Sequence, residues 1–177
     1  MKEIAIIVGH ERGGGARGER DYNIGIANIM ATTLEDQGHK VYIHYHQTQP
    51  YGQRQSEMMA AVNDKMPDCR VCVELHYNSY SDPSANGHEF LYRGSRSLAE
   101  CFRNDFQNTF PFSKARRDNG IFKRMSGRGS GFLKKAPAWA VIVEPFFESN
   151  HDERDYFFAR QTKLADSYCR AINQFIK

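Results

Sequence analysis

Trp139-Ala140-Val141-Ile142-Val143-Glu144 is an almost uniformly apolar run that ends on a carboxylate. A strand that is apolar at every position, rather than at every second one, is expected where both faces of a sheet are covered. Two further runs repeat the design. Ile4-Ala5-Ile6-Ile7-Val8 leads into Gly9-His10, and Val71-Cys72-Val73-Glu74-Leu75 leads into His76. Each run stops at a residue able to ligate a metal or move a proton. In an open α/β sheet, segments leaving the carboxyl ends of strands converge on one crevice. The fold and the site are therefore read from the same residues.

Between these runs the pattern turns helical. Asp21 is placed to cap a helix over residues 22–37, which Gly38 stops. Residues 40–44 read as a second strand and residues 56–65 as a helix, before Pro67-Asp68 turns the chain into the strand ending at His76. A polar loop over residues 79–86 leads to the strand His88-Glu89-Phe90-Leu91-Tyr92, and residues 95–109 look helical. Asn150 and Glu153 have capping-box spacing. Leu164, Ala165, Tyr168, Ile172, Phe175 and Ile176 then recur at helical spacing, predicting one last helix. Strands alternating with helices imply an α/β fold: a mostly parallel or mixed central sheet with helices on both faces. One domain is expected over residues 1–177, with no repeat, linker or second domain.

Composition fits an ordinary globular protein, with 40% hydrophobic and 25% charged residues. No apolar run approaches a membrane span, so no stable membrane association is expected. Met1-Lys2-Glu3 followed by five apolar residues is too short for a signal peptide, which predicts synthesis in the cytoplasm. The four cysteines do not resemble a disulfide framework. Cys69 and Cys72, three apart on a strand, should point to opposite faces, and Cys101 and Cys169 fall in helical patterns; buried reduced thiols are expected. Charge is unevenly spread. Residues 114–135 hold eight basic residues against Asp118, a local +7, which leaves −4 for the rest of a chain whose net charge is +3. With Gly120, Gly127, Gly129 and Gly131 this segment reads as a long mobile loop, either a solvated connection or a surface for an anionic partner.

His10, Glu19, His76 and Glu144 form the candidate site, at the carboxyl ends of the strands. Two imidazoles and one carboxylate can hold zinc with an open coordination position, leaving the second carboxylate to act as base. Glu74 and His76 lie two apart and share a face of the sheet opposite Val71, Val73 and Leu75. Glu74 is thus placed either to orient a zinc-bound imidazole or to pair with Arg or Lys. Glu144 is the residue hardest to explain structurally, because an unpaired charge at the end of a buried strand is costly. Such a place raises a carboxylate's pKa and suits proton transfer. His39, His44, His46, His88 and His151 are expected in non-ligand roles. Gly13, Gly15 and Gly18 match the dinucleotide fingerprint G-x-G-x-x-G. However, Gly13 follows Val8 by five residues, and strand two ends in His44 rather than a ribose-binding acid. The glycines better suit a loop that wraps the site and delivers Glu19.

Taken in order, Val8-Gly9-His10, Gly18-Glu19, Leu75-His76-Tyr77-Asn78 and Val143-Glu144-Pro145-Phe146-Phe147 resemble the zinc-dependent N-acetylmuramoyl-L-alanine amidases. Gly38-His39-Lys40-Val41, Gly87-His88-Glu89-Phe90, the segment from Gly131 through Pro137, and Glu148-Ser149-Asn150 add smaller matches, so the resemblance runs over about residues 4–150. It implies one zinc ion held by His10, Glu19 and His76, with Glu144 as general base and acid. The implied reaction is hydrolysis of the amide between the lactyl group of N-acetylmuramic acid and L-alanine in peptidoglycan. Asn78 and the basic loop are candidates for holding the peptide stem.

The chain departs from the commonest pattern at Glu11-Arg12, where Gly-Gly often follows the His; this makes Glu11 a rival to Glu19 as third ligand. Glu74 and Pro145 resemble the phage branch of the family, and a phage or prophage endolysin is the expected setting. No nucleic-acid partner and no obligate protein partner are expected. A zinc peptidase cutting within the stem is the nearest alternative. A nucleotide-binding oxidoreductase resting on the glycines, and a nucleic-acid module resting on the +7 segment, are alternatives of other classes.

Overall fold

The computed structural model describes residues 1–47 and 50–177. Among these residues six strands form one mixed sheet in the order β2-β1-β3-β6-β4-β5. They are β1 (Glu3–Val8), β2 (Lys40–Tyr45), β3 (Cys69–Leu75), β4 (Glu89–Tyr92), β5 (Ile121–Lys123) and β6 (Trp139–Glu144). β2, β1, β3 and β6 are mutually parallel. β4 runs antiparallel to β6, and β5 follows β4 in parallel. The start of β4 therefore lies beside the end of β6, with Glu89 opposite Glu144.

Strand alternation sorts the apolar residues into two layers. Ile4, Ile6, Val8, Val71, Val73, Leu75, Phe90, Val141 and Val143 face one core. It is covered by α1 (Glu19–Asp36), α3 (Arg96–Thr109) and α7 (Gln161–Ile176), through residues such as Met30, Phe102 and Tyr168. Ala5, Ile7, Cys72, Leu91, Ala140 and Ile142 face the other core. There Met58 and Val62 of α2 (Tyr51–Lys65) pack with Phe132 and Leu133 of α5 (Ser130–Lys135). Helices thus cover both faces, as the uniformly apolar strands require. Glu74, Glu89 and Glu144 fall in phase with the second layer, so all three carboxylates leave the sheet on the α2–α5 side.

Several local expectations are corrected. α1 begins at Glu19, not at Tyr22. Its cap position is Gly18 in the left-handed region, and Asp21 lies inside the first turn. The basic segment is not one mobile loop. It holds the single turn α4 (Arg117–Gly120), with Asp118 and Asn119 at positive φ, then β5 and α5. Ile121 and Phe122 anchor it because Ile121 packs into the first core and Phe122 against the second. The final helix is two: α6 (His151–Phe158) and α7, broken at Ala159-Arg160. Asn150 caps α6 by accepting from the Glu153 N–H, but Glu153 does not complete a capping box. Its carboxylate accepts from Phe147 N at 2.9 Å and Gly87 N at 2.8 Å, tying the exit of β6 to the approach to β4. Cys69 and Cys72 do not point apart. A register shift in β3 opposite Glu3 and Ile4 inserts an extra residue, which turns Cys69 to the Cys72 side, with the sulfurs 3.8 Å apart. Both are free thiols.

Candidate active site

The exits of β1 and β3 are locked to each other before either reaches the site. Gly9 N donates to the Leu75 carbonyl at 3.0 Å. A Cβ on Gly9 would stand 2.3 Å from the His76 ring, so only glycine allows the two strand ends this close. His10 follows at φ 65°, in the left-handed region. That turn swings its imidazole edge-on to His76, with ring centroids 4.8 Å apart at 90°. Gly15 brings the glycine loop over the same point, since a Cβ there would meet both Glu19 Oε2 and the His10 ring at 2.6 Å. The loop thus wraps the site and delivers Glu19 at the start of α1.

Glu19 is buried and fully engaged. Its Oε2 accepts from Ala16 N at 2.9 Å and its Oε1 from Tyr77 N at 3.2 Å. The same Oε1 lies 2.9 Å from His76 Nδ1 and 3.4 Å from His10 Nε2. Burial pushes the Glu19 carboxyl up, but hydrogen bonds from His10 and His76 outweigh it and hold it far below the usual carboxylate range. Ligating atoms of His10, Glu19 and His76 all lie within 4.8 Å of one another. Glu11, the rival, turns away and pairs with Arg54 of α2.

Glu74 reaches His76 from the other side, with Oε2 3.5 Å from Nε2, and its Oε1 lies 3.9 Å from His46 Nε2. Among the described residues its ion pairs are thus with histidines and not with Arg or Lys. Burial raises its carboxyl, while the imidazoles of His46 and His76 beside it prevail and bring it to about 2. His76 itself is disfavoured as a cation by burial, yet Glu19 and Glu74 on opposite ring nitrogens drive it up to about 10. The environment is built to hold positive charge, and its donors are the imidazole and carboxylate types that zinc takes. The residues present therefore fit the metal.

Glu144, at the end of β6, completes the cleft. Asn78 Nδ2 donates to Glu144 Oε2 at 2.6 Å and approaches Glu89 Oε1 at 3.4 Å. Burial, followed by the charge of Glu89, raises Glu144 to about 7, against the lowering effects of His76 and Asn78. Asn78 is held on both sides of its own backbone, its N–H donating to Phe146 O and its carbonyl accepting from Glu148 N. Asn78, a candidate for holding the peptide stem, directs its amide nitrogen to the two carboxylates.

The surrounding cleft of about 860 Å³ is lined by His10, Glu19, His76, Asn78, Glu89 and Glu144, and by residues the sequence reading passed over. Glu89 was read only as part of a Gly-x-Glu strand. Its signal was available, because a carboxylate opening the uniformly buried β4 poses the same problem as Glu144. Arg116 and Arg117 lie 3.8 and 3.7 Å from it. His46, assigned no ligand role, is buried behind Glu74, and only tertiary packing reveals that. Of the other histidines, His44 is held down to about 4 by burial and His46, and His88 to about 4 by burial and Arg103.

A family profile for N-acetylmuramoyl-L-alanine amidase matches residues 4–174. The chain belongs to the N-acetylmuramoyl-L-alanine amidase family. Among solved structures, the amidase AmiC2 of Nostoc punctiforme superposes with a TM-score of 0.80 at 24% identity, over 99% of this chain and 97% of that one. The catalytic domain of the amidase CwlV from Bacillus (Paenibacillus) polymyxa gives 0.79 at 22%, over 99% and 98%. The catalytic domain of the CD27L endolysin, which targets Clostridia difficile, gives 0.78 at 21%, over 98% of each chain. At these identities the amidase likeness is one of fold. No curated protein sequence matches significantly. Among the described residues, no helix of this amidase is long and apolar enough to cross a membrane.

Proposed function

We propose that the chain hydrolyses the amide between N-acetylmuramic acid and L-alanine, with His10, Glu19 and His76 holding zinc and Glu144 moving the proton. One observation carries this reading: three ligating side chains within 4.8 Å of one another share a cleft with a carboxylate poised at about 7. When bound, zinc supplies Lewis acidity, polarising a carbonyl and lowering the pKa of water. A carboxylate titrating near neutrality can take a proton from attacking water and return it to the departing amine. The C–N bond breaks, water's oxygen goes to the lactyl carbonyl carbon, and the peptide leaves with a free L-alanine amino group. Asn78 steadies one oxygen of Glu144 at 2.6 Å, leaving the other for the proton. Glu74 orients His76 through the ring nitrogen that faces away from Glu19.

Digestion of purified peptidoglycan followed by mass spectrometry tests the reaction. Peptides beginning with free L-alanine, and glycan retaining its lactyl group, are expected. Cuts within the peptide would overturn the amidase assignment in favour of a stem peptidase. The setting proposed is a phage or prophage endolysin, supported by Glu74 and Pro145 in the motifs. Cells expressing the chain should lyse only when a membrane pore is co-expressed; lysis without one would speak against that setting.

A further inference from the structure

The arginines in and around the cleft divide into those with acidic partners and those without. Arg54 pairs with Glu11, and Arg116 and Arg117 share Glu89. Arg124 and Arg128 also line the cleft, and among the described residues neither has a carboxylate partner. Arg124 is oriented even so. Its guanidinium carbon lies 4.9 Å from the centre of the Phe122 ring, its backbone N–H is fixed to Tyr92 O, and its buried Nε has no hydrogen-bond partner. A guanidinium lying on an aromatic face keeps its edge free for planar, two-point recognition of an oxyanion. Arg128 is brought over the cleft by the following glycine. Gly129 has φ 79°, and a Cβ there would stand 2.6 Å from Ile142 Cδ1, two residues before Glu144.

We propose that Arg124 and Arg128 bind a free carboxylate on the peptide portion of the substrate. The assignment rests on the amidase reading. In a muramoyl peptide the lactyl carboxyl is consumed by the scissile amide, so every remaining carboxylate belongs to the peptide. Two unneutralised guanidinium groups lining the same cleft as Glu144 therefore mark its peptide side and make the α-carboxylate of a stem glutamate a specificity element.

Calorimetric titration of the zinc-loaded protein with two free peptides tests this. One is L-alanyl-D-γ-glutamyl-L-lysinamide, whose glutamyl α-carboxylate is its only free carboxylate; the other carries a carboxamide at that position too. The carboxylate peptide should bind about tenfold more tightly, the scale of a charge-assisted contact. The double variant R124Q/R128Q should lose that difference, and R124K should keep part of it. Equal affinities in the wild type, or a difference that survives in the double variant, would overturn the assignment. So would salt-dependent DNA binding abolished by R124Q/R128Q in a protein that does not distinguish the peptides. Failure of the amidase reading shows separately, as peptide discrimination without release of free L-alanine termini from peptidoglycan.

Discussion

At the scale of single residues, Glu144 and Glu89 form the most informative pair. Glu144→Gln should retain zinc by metal analysis and lose about 10²- to 10⁴-fold in peptidoglycan hydrolysis, the usual worth of a positioned acid–base group. Full activity in that variant would remove Glu144 from the mechanism. The pH dependence follows from the sign of its shift. The base must be ionised, so activity falls as pH drops through its pKa, which burial and Glu89 hold high. Glu89→Gln removes the like charge and leaves Arg116 and Arg117 unmatched, and both changes favour ionised Glu144. The acid limb of kcat/KM should therefore move to lower pH than in the wild type. An unmoved or raised limb would contradict the pairing. Glu144 was legible in the sequence because a charge closing an apolar run demands a reason. Glu89 offered the same signal more faintly, since His88 before it blurs where β4 begins.

At the scale of elements, the site depends on strand exits that are stapled together. Glu153→Ala frees two backbone N–H groups, at Gly87 and Phe147, and should cost about 1–3 kcal/mol. Asn150→Ala removes only the α6 cap and should cost about 1 kcal/mol. Urea unfolding of the two variants would rank them, and a larger loss at Asn150 would contradict the account. Strand and helix order was readable from apolar periodicity, and so was the face shared by Glu74 and His76. The β3 register shift was not, because it arises from how β3 pairs with Glu3 and Ile4, and no pattern within Cys69–Leu75 announces it. β5 was missed for a related reason: three residues flanked by arginines and glycines carry too little periodicity to stand out.

Across the whole molecule, the proposed metal joins parts far apart in sequence: the turn after β1, the first residue of α1 and the exit of β3. Chelation should lower the melting temperature, and added zinc should restore it. At about a thousand times Kd the gain is about 4 kcal/mol, or about 2–4 °C per kcal/mol for a chain of this size. A melting curve indifferent to both treatments would count against the ligand set. Glu74→Ala should weaken zinc binding about 10–100-fold in a chelator competition, the usual effect of losing a carboxylate that orients a ligating imidazole.

The reversal of β4 also divides the molecule kinetically. The proposed metal ligands hang on β1, β3 and α1, deep in the parallel part of the sheet, whereas Glu89 and Arg124 sit on the outer β4–β5 pair. That pair is registered over only Phe90–Ile121, Leu91–Phe122 and Tyr92–Lys123. Such a short outer ladder belongs to the low-stability end of a native structure, where backbone amides open without global unfolding. Amides of Phe122 and Arg124 should exchange with deuterium well before those of Ile6 and Val73. The half of the cleft proposed to read the substrate would then breathe while the half proposed to hold the metal stays shut.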